Sequence, residues 1–175
     1  MGYEEQISRS RRYSRSQPVW HLVLLSIATF GIYEIYWFYR NWRDLKDHKR
    51  LAISPGWKTA GLFVPVYGLI LAYRQLKEIK EGAAQGGVIR LYDPGSILAA
   101  WIILNALWKL PDPAWMLSFL SIWPLAIVQR TLNAFWQKEE DGLPVRTGLS
   151  GGQITLVVIG GLWFLLVIVG MMLPE

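Results

Sequence analysis

The chain has 175 residues, a formal net charge of +5, ten Trp, eight Tyr and no cysteine, and 53% of it is hydrophobic. The length fits one domain, and the absence of cysteine excludes a disulfide framework, a thiol nucleophile and a thiolate metal site. An apolar share this high, gathered in blocks, is unusual for a soluble domain, and a basic balance on such blocks points to loops beside anionic lipid rather than to nucleic acid.

Residues 1–17 are polar and place Arg9, Arg11, Arg12 and Arg15 among serines. They read as a disordered basic flank that orients the chain, with contact to anionic lipid or a partner as the alternative. A secretory signal is not expected, since no small-residue cleavage site follows the apolar run Val19–Ala28. Residues 18–173 are expected to form a single membrane-embedded helical domain, with helical blocks near 18–50, 55–81, 96–110, 113–138 and 152–173.

The first apolar block, Pro18 to Tyr39, is long enough as a helix to cross a hydrocarbon core of about 30 Å. Thr29-Phe30-Gly31 at its middle is either a kink or the turn of a re-entrant hairpin whose halves are too short to span. The second block, Pro55 to Tyr73, is interrupted more firmly at Val64-Pro65-Val66-Tyr67-Gly68, because Pro65 removes a backbone donor. Arg74, Lys77, Glu78, Lys80 and Glu81 then alternate with Leu76 and Ile79 as an amphipathic surface extension, in which Arg74/Glu78 and Lys77/Glu81 are spaced for i,i+4 pairs. A glycine-rich connection from Gly82 to Pro94 is the expected hinge. Two short apolar arms follow, Ser96–Leu110 and Ala114–Val128, joined by the tight tip Pro111-Asp112-Pro113; Trp123-Pro124 interrupts the returning arm. The last block, Ile154–Leu173, carries no charge and is the clearest spanning helix.

The first two interrupted blocks repeat one another. Tyr39-Arg40-Asn41-Trp42-Arg43-Asp44-Leu45-Lys46 matches Tyr73-Arg74-Gln75-Leu76-Lys77-Glu78-Ile79-Lys80, with the arginine nine residues after Gly31 in one and nine after Pro65 in the other. Gln129-Arg130-Thr131-Leu132 is a weaker third copy. Charge favours re-entrant blocks over spanning ones: if the first two blocks return to the side they entered and the hairpin goes out and back, all Lys and Arg but Lys109 share one face, as the positive-inside rule asks.

Thr29-x-Gly31-Ile32-Tyr33-x-x-Tyr36-Trp37-x-Tyr39 resembles the signature of a family of small, uncharacterised bacterial membrane proteins, a domain of unknown function with a Thr-x-Gly-Ile-Tyr-x-x-Tyr-Trp core. The family's paired hydrophobic helices are similar to residues 18–81. The resemblance implies an integral membrane protein of the bacterial cytoplasmic membrane, and no known activity.

Glu34 is the acid inside an apolar block, and a charge at bilayer depth is a functional-site hypothesis by default. It is expected to make an interfacial or inter-helix hydrogen bond, with a proton or ion role as the alternative. Asn105 is a candidate inter-helix contact, and His21 and His48 lack any spacing motif for a metal. Glu139-Glu140-Asp141 reads as a solvated acidic turn. No nucleophile elbow, phosphate loop or metal-binding pair is present, so neither an enzyme, a cofactor nor a metal is expected. The expected fold is an all-α integral membrane protein of interrupted helices, a short helical hairpin and a C-terminal transmembrane helix. Gly31, Pro65, Trp123 and Pro124 are expected to set its shape, and Arg40, Arg74, Arg130, Trp37 and Trp42 to anchor it at the interface. The expected function is structural or accessory, through packing with lipid and with a membrane-protein partner or a second copy; a small transporter or channel using Glu34, and a monotopic membrane-remodelling protein, are the alternatives.

Overall fold

The computed structural model describes residues 13–50, 52–89 and 91–172, whose regular elements are all helical, with no strand among them. Three helical hairpins are followed by one long helix. In the first hairpin, α1 (Val19–Ala28) and α2 (Ile32–Lys49) are joined by the turn Thr29–Gly31. Gly31 adopts φ +85°, a left-handed conformation that glycine tolerates without strain. The Thr29 hydroxyl donates to the Leu25 carbonyl at 2.8 Å and accepts the Tyr33 N–H at 2.9 Å, so one side chain closes α1 and opens α2. The block 18–50 is therefore two helices and not one kinked helix; α1, at 10 residues, is too short to span, and α2, at 18, is charged along its second half.

The second hairpin pairs α3 (Pro55–Ala60), extended by the 3-10 turn Gly61–Phe63, with α4 (Tyr67–Gln85). Val64-Pro65-Val66 is the turn between them, and Gly68 lies so close to the Leu62 carbonyl that a Cβ would collide with it. In the third, α5 (Pro94–Ala106) starts at Asp93, whose carboxylate accepts the Ser96 N–H at 2.7 Å, and continues through the 3-10 turn Leu107–Lys109. After Pro111-Asp112-Pro113 the chain returns as the 3-10 segment Ala114–Ser121 and α6 (Ile122–Glu139). Pro124 sits in the first turn of α6, where a missing N–H costs little, so Trp123-Pro124 marks a change of helix type and not a turn. The last helix is α7 (Gly151–Met172).

The tips of all three hairpins point the same way. Trp37 reaches Gln129 and His48 faces Glu139, so α2 and α6 run in the same direction. Gln75 bonds the Phe38 carbonyl and Lys49 pairs with Glu78, which aligns α4 with them. The Phe30 ring at the first tip meets Trp108 and Trp115 at the third. Running toward the tips beside α1, α7 starts near the Thr147 carbonyl, which lies 2.9 Å from His21 Nε2. It passes Ala28 at Gly160 and Phe30 at Phe164.

The repeat extends into the burial pattern. At an offset of 34 residues, Glu34, Trp37, Phe38, Asn41, Trp42 and Leu45 of α2 correspond to Gly68, Leu71, Ala72, Gln75, Leu76 and Ile79 of α4, and all of them are buried. At an offset of 90 residues α6 has the same bounds as α2, and Pro124, Val128, Thr131, Leu132 and Phe135 are buried in turn. These three helices bury one face each into a common core with Leu22 and Leu25 of α1.

Residues 1–12 of the basic flank lie outside the described residues, but 13–17 do not form a free tail. Ser14, Ser16 and Gln17 are buried against α6, held by bonds described below.

Candidate functional site

Two polar clusters sit within this apolar frame. The first is a seam on the side away from the tips. Gln17 is its hub: its Nε2 donates to the Tyr33 hydroxyl at 2.8 Å, and its Oε1 accepts from Arg40. Its main chain is held at both ends by Asn133, which accepts the Gln17 N–H at 3.0 Å and donates to the Gln17 carbonyl at 2.8 Å. Gln129 donates to Asn133 at 2.8 Å and accepts the Trp37 indole N–H at 2.7 Å. Lower down, Glu140 accepts the Ser14 hydroxyl at 2.8 Å and the Arg15 N–H at 2.7 Å, and forms an ion pair with the Arg15 guanidinium at 3.3 Å. Buried polar groups satisfied this fully fix one register between elements.

This seam corrects several expectations. Trp37 and Trp42 are 1% and 3% exposed, so they are core residues and not interfacial anchors; the face of α2 that carries them is covered by the other hairpins. Arg40 is an internal tie, bonded to the Arg15 carbonyl at 2.6 Å and paired with Asp44 at 3.5 Å. Only Arg74 and Arg130 of the expected anchors are exposed. Glu140 is locked to the N-terminal segment instead of being solvated. Glu78 pairs with Lys49 across helices at 2.9 Å and not with Arg74, whereas Lys77–Glu81 forms as spaced, at 3.7 Å. Asn105 donates to the Trp101 carbonyl of its own helix, and not across helices.

The second cluster lies near the tips, around Glu34. The turn at Gly31 places Glu34 one step into α2, facing hairpin three, and leaves it 5% exposed. The Trp101 indole N–H donates to Glu34 Oε2 at 2.7 Å, an inter-helix bond between the first and third hairpins. No Lys, Arg or His pairs with Glu34 among the described residues. Glu34 opens onto a pocket of about 320 Å³, whose other walls are Asn105, Ser118 and Ser121 and the rings of Phe30, Trp108 and Phe119. Among the described residues no group of His, Asp and Glu is arranged to hold a metal ion.

Gly31 and Pro65 stand in hairpin turns, as their chemistry suggests, but Gln17, Trp101, Gln129 and Asn133 carried no local signal of their roles. Their partners lie far away in sequence, and only the alignment of Asn41 with Gln75 hinted that polar residues of these blocks turn inward.

Residues 17–81 match a domain of unknown function (DUF4234). The match begins at Gln17, the hub of the seam, and ends within α4, so it covers the first two hairpins together with the Thr29–Tyr39 motif. No curated protein and no solved structure matches the chain. The third hairpin and α7 lie beyond the matched domain.

Proposed function

We propose that this is a structural or accessory protein of the bacterial cytoplasmic membrane, with its N-terminus cytoplasmic, acting by helix packing. In this reading α7 crosses the bilayer and the three hairpins enter it from the cytoplasmic side to about mid-depth. The carrying observation is the close approach of Ala28 at the first tip to Gly160 of α7. Gly151–Met171 is one helix of 21 residues, long and apolar enough to cross a membrane, and it extends about 31 Å. Gly160 stands about 14 Å from its start, near half of a hydrocarbon core of about 30 Å.

Two further features support this placement. Every described Lys and Arg except Lys109 lies at least six residues from a hairpin tip, and α7 carries none. The tips instead display large apolar side chains, with Phe63 69% and Val66 70% exposed. Surfaces of this kind are covered by lipid or by another protein. The outer face of α7, with Leu162, Leu165 and Leu166, is equally uncovered, which leaves it free to pack against a partner helix or a second copy.

The absence of native cysteine makes the placement directly testable. Single cysteines at Ser54, Gln85 and Asp141 are expected to react with a membrane-impermeant reagent from one side, and one at Met171 from the other. Cysteines at Val66 and Asp112 are expected to resist labelling from both. Labelling of Val66 or Asp112 from the Met171 side shows that the hairpins cross, and rejects this arrangement. The packing role is read by cross-linking at Leu162→Cys and Leu166→Cys in native membranes. A ladder of copies assigns a homo-oligomer and a single heavier adduct assigns a partner, while a monomer at every position rejects a packing role.

A further inference from the structure

The Glu34 pocket has a composition that calls for a ligand of one kind. It offers a buried acid that no basic side chain of the described protein neutralises, set beside aromatic side chains. Glu34 is the only ionisable residue in its lining, so the pocket presents negative charge or none. Anions are disfavoured there. Hard metal ions are also poorly served, because they favour several charged oxygen ligands at short range and this pocket supplies one carboxyl, with no second Asp, Glu or His beside it. What fits is a soft, weakly hydrated cation with apolar substituents: its charge is attracted by the carboxylate, and its apolar groups suit the aromatic side chains of Phe30, Trp108 and Phe119, whose rings attract cations at their faces.

We propose that this pocket binds a lipophilic ammonium ion, with the nitrogen against Glu34 and the alkyl groups against the rings of Phe30, Trp108 and Phe119. The site goes beyond the structural role proposed above and does not depend on how the hairpins lie in the bilayer. The pocket's volume of about 320 Å³ lies at the lower end for small-molecule sites and suits a compact quaternary or tertiary ammonium. Phe30 and Trp108 also line a larger groove of about 1000 Å³ beside α7, walled by Trp115, Ile159, Gly160 and Trp163. An ammonium bearing one longer chain can thus seat its head at Glu34 and lay its tail along α7. Ser118 and Ser121, both buried, add two hydroxyl groups to the same wall.

Calorimetric titration of the full chain in nanodiscs of zwitterionic lipid with tetrapropylammonium tests this. Saturable binding at one site per chain is expected, weakened at least about tenfold by Glu34→Gln, since each tenfold corresponds to about 1.4 kcal/mol and an ion contact with a buried carboxylate exceeds that. Trp108→Ala is expected to weaken it several-fold with Glu34 intact. Heat that never saturates, or equal binding by wild type and Glu34→Gln, overturns the proposal and leaves Glu34 as a hydrogen-bond partner of Trp101. Circular dichroism and gel filtration establish whether Glu34→Gln is folded. If it is not, Ser118→Leu fills the pocket from the facing segment while leaving Glu34 and Trp101 in place; abolished binding then supports the site, and retained binding rejects it.

Discussion

The hairpin bundle and α7 use similar apolar residues in opposite ways. Trp37 in α2 is 1% exposed and Trp163 in α7 is 62% exposed, although each stands in a run of aromatic and aliphatic residues, Ile35–Tyr39 in the one and Leu162–Val169 in the other. The difference lies in their neighbours. Within the bundle, Gln17, Gln129 and Asn133 direct one face of each helix inward through specific bonds, and aromatic side chains fill the space between. No described hydrogen bond links α7 to another element; it touches α1 along a stripe centred on Gly160. Apolar character alone thus does not say whether a residue faces core or surroundings. Polar ties decide it.

The sharpest way to break this comparison is to truncate each tryptophan. Trp37→Ala removes a buried ring and leaves the Gln129 carbonyl without its donor, and is expected to cost about 3–5 kcal/mol. Thermal unfolding in a mild detergent reads this as a fall of about 6–20 °C, at about 2–4 °C per kcal/mol for a chain of this size. Trp163→Ala is expected to stay within about 0.5 kcal/mol under the same conditions, because its ring is mostly exposed and holds no hydrogen bond among those described. A large loss at Trp163 means that α7 belongs to the core. Next in size is Asn133→Ala, which deletes three bonds to Gln17 and Gln129 and strands their buried partners. A loss of about 2–4 kcal/mol is expected, together with faster proteolysis at residues 13–17 as the N-terminal segment detaches.

Much of this contrast was open to a sequence reader, and the part that was not has a physical reason. Gly31, Pro65 and Pro111-Asp112-Pro113 advertise turns through their own backbone chemistry, and α7 advertises itself by length and lack of charge. The spacing of Tyr33, Trp37, Asn41 and Leu45, with Phe38 and Trp42 beside them, marks one face of a helix. Whether that face meets lipid or protein depends on α6, which lies some 90 residues away and leaves no trace in the local pattern. Trp37 and Trp42 were therefore misplaced at the interface. The same holds for Arg40 and Glu140, whose partners Gln17, Ser14 and Arg15 belong to a stretch that looks like a polar tail. Glu34 was legible as an acid out of place, while its pocket was not, since Ser118, Ser121 and Asn105 come from another hairpin.

Gly160 offers a way to separate the two regions without harming either. Gly160→Leu places a side chain where the Ala28 carbonyl already lies, an overpacking expected to cost about 1–3 kcal/mol. Because α7 and the bundle meet there, the expected result is undocking of α7 and not loss of the bundle. Reactivity of a cysteine at Ala28, which α7 covers at Gly160, is expected to rise, while the near-ultraviolet dichroism of the buried tryptophans persists. If the dichroism collapses as well, the two regions form one cooperative unit, and the contrast drawn from Trp37 and Trp163 is one of exposure only.

The smallest expected effect tests how firmly the base of the bundle is tied to the segment before α7. His21 is buried at the start of α1, and its Nε2 lies 2.9 Å from the Thr147 carbonyl, so the neutral ring donates there. Burial holds its pKa below the ordinary 6.5, against the pull of that hydrogen bond, and the positive charges of Arg40 and Arg146 add to the depression. A base whose folded pKa is depressed contributes stability above its unfolded value of about 6.5, and that contribution is lost as pH falls toward the folded value. Acidification from pH 7 to pH 5 is therefore expected to destabilise the wild type by under about 1 kcal/mol more than His21→Gln, which keeps a donor and does not titrate. Urea midpoints of the two proteins across that range measure the difference. Parallel curves mean that His21 is solvated in both states and that Thr147 holds α7 to the bundle without it.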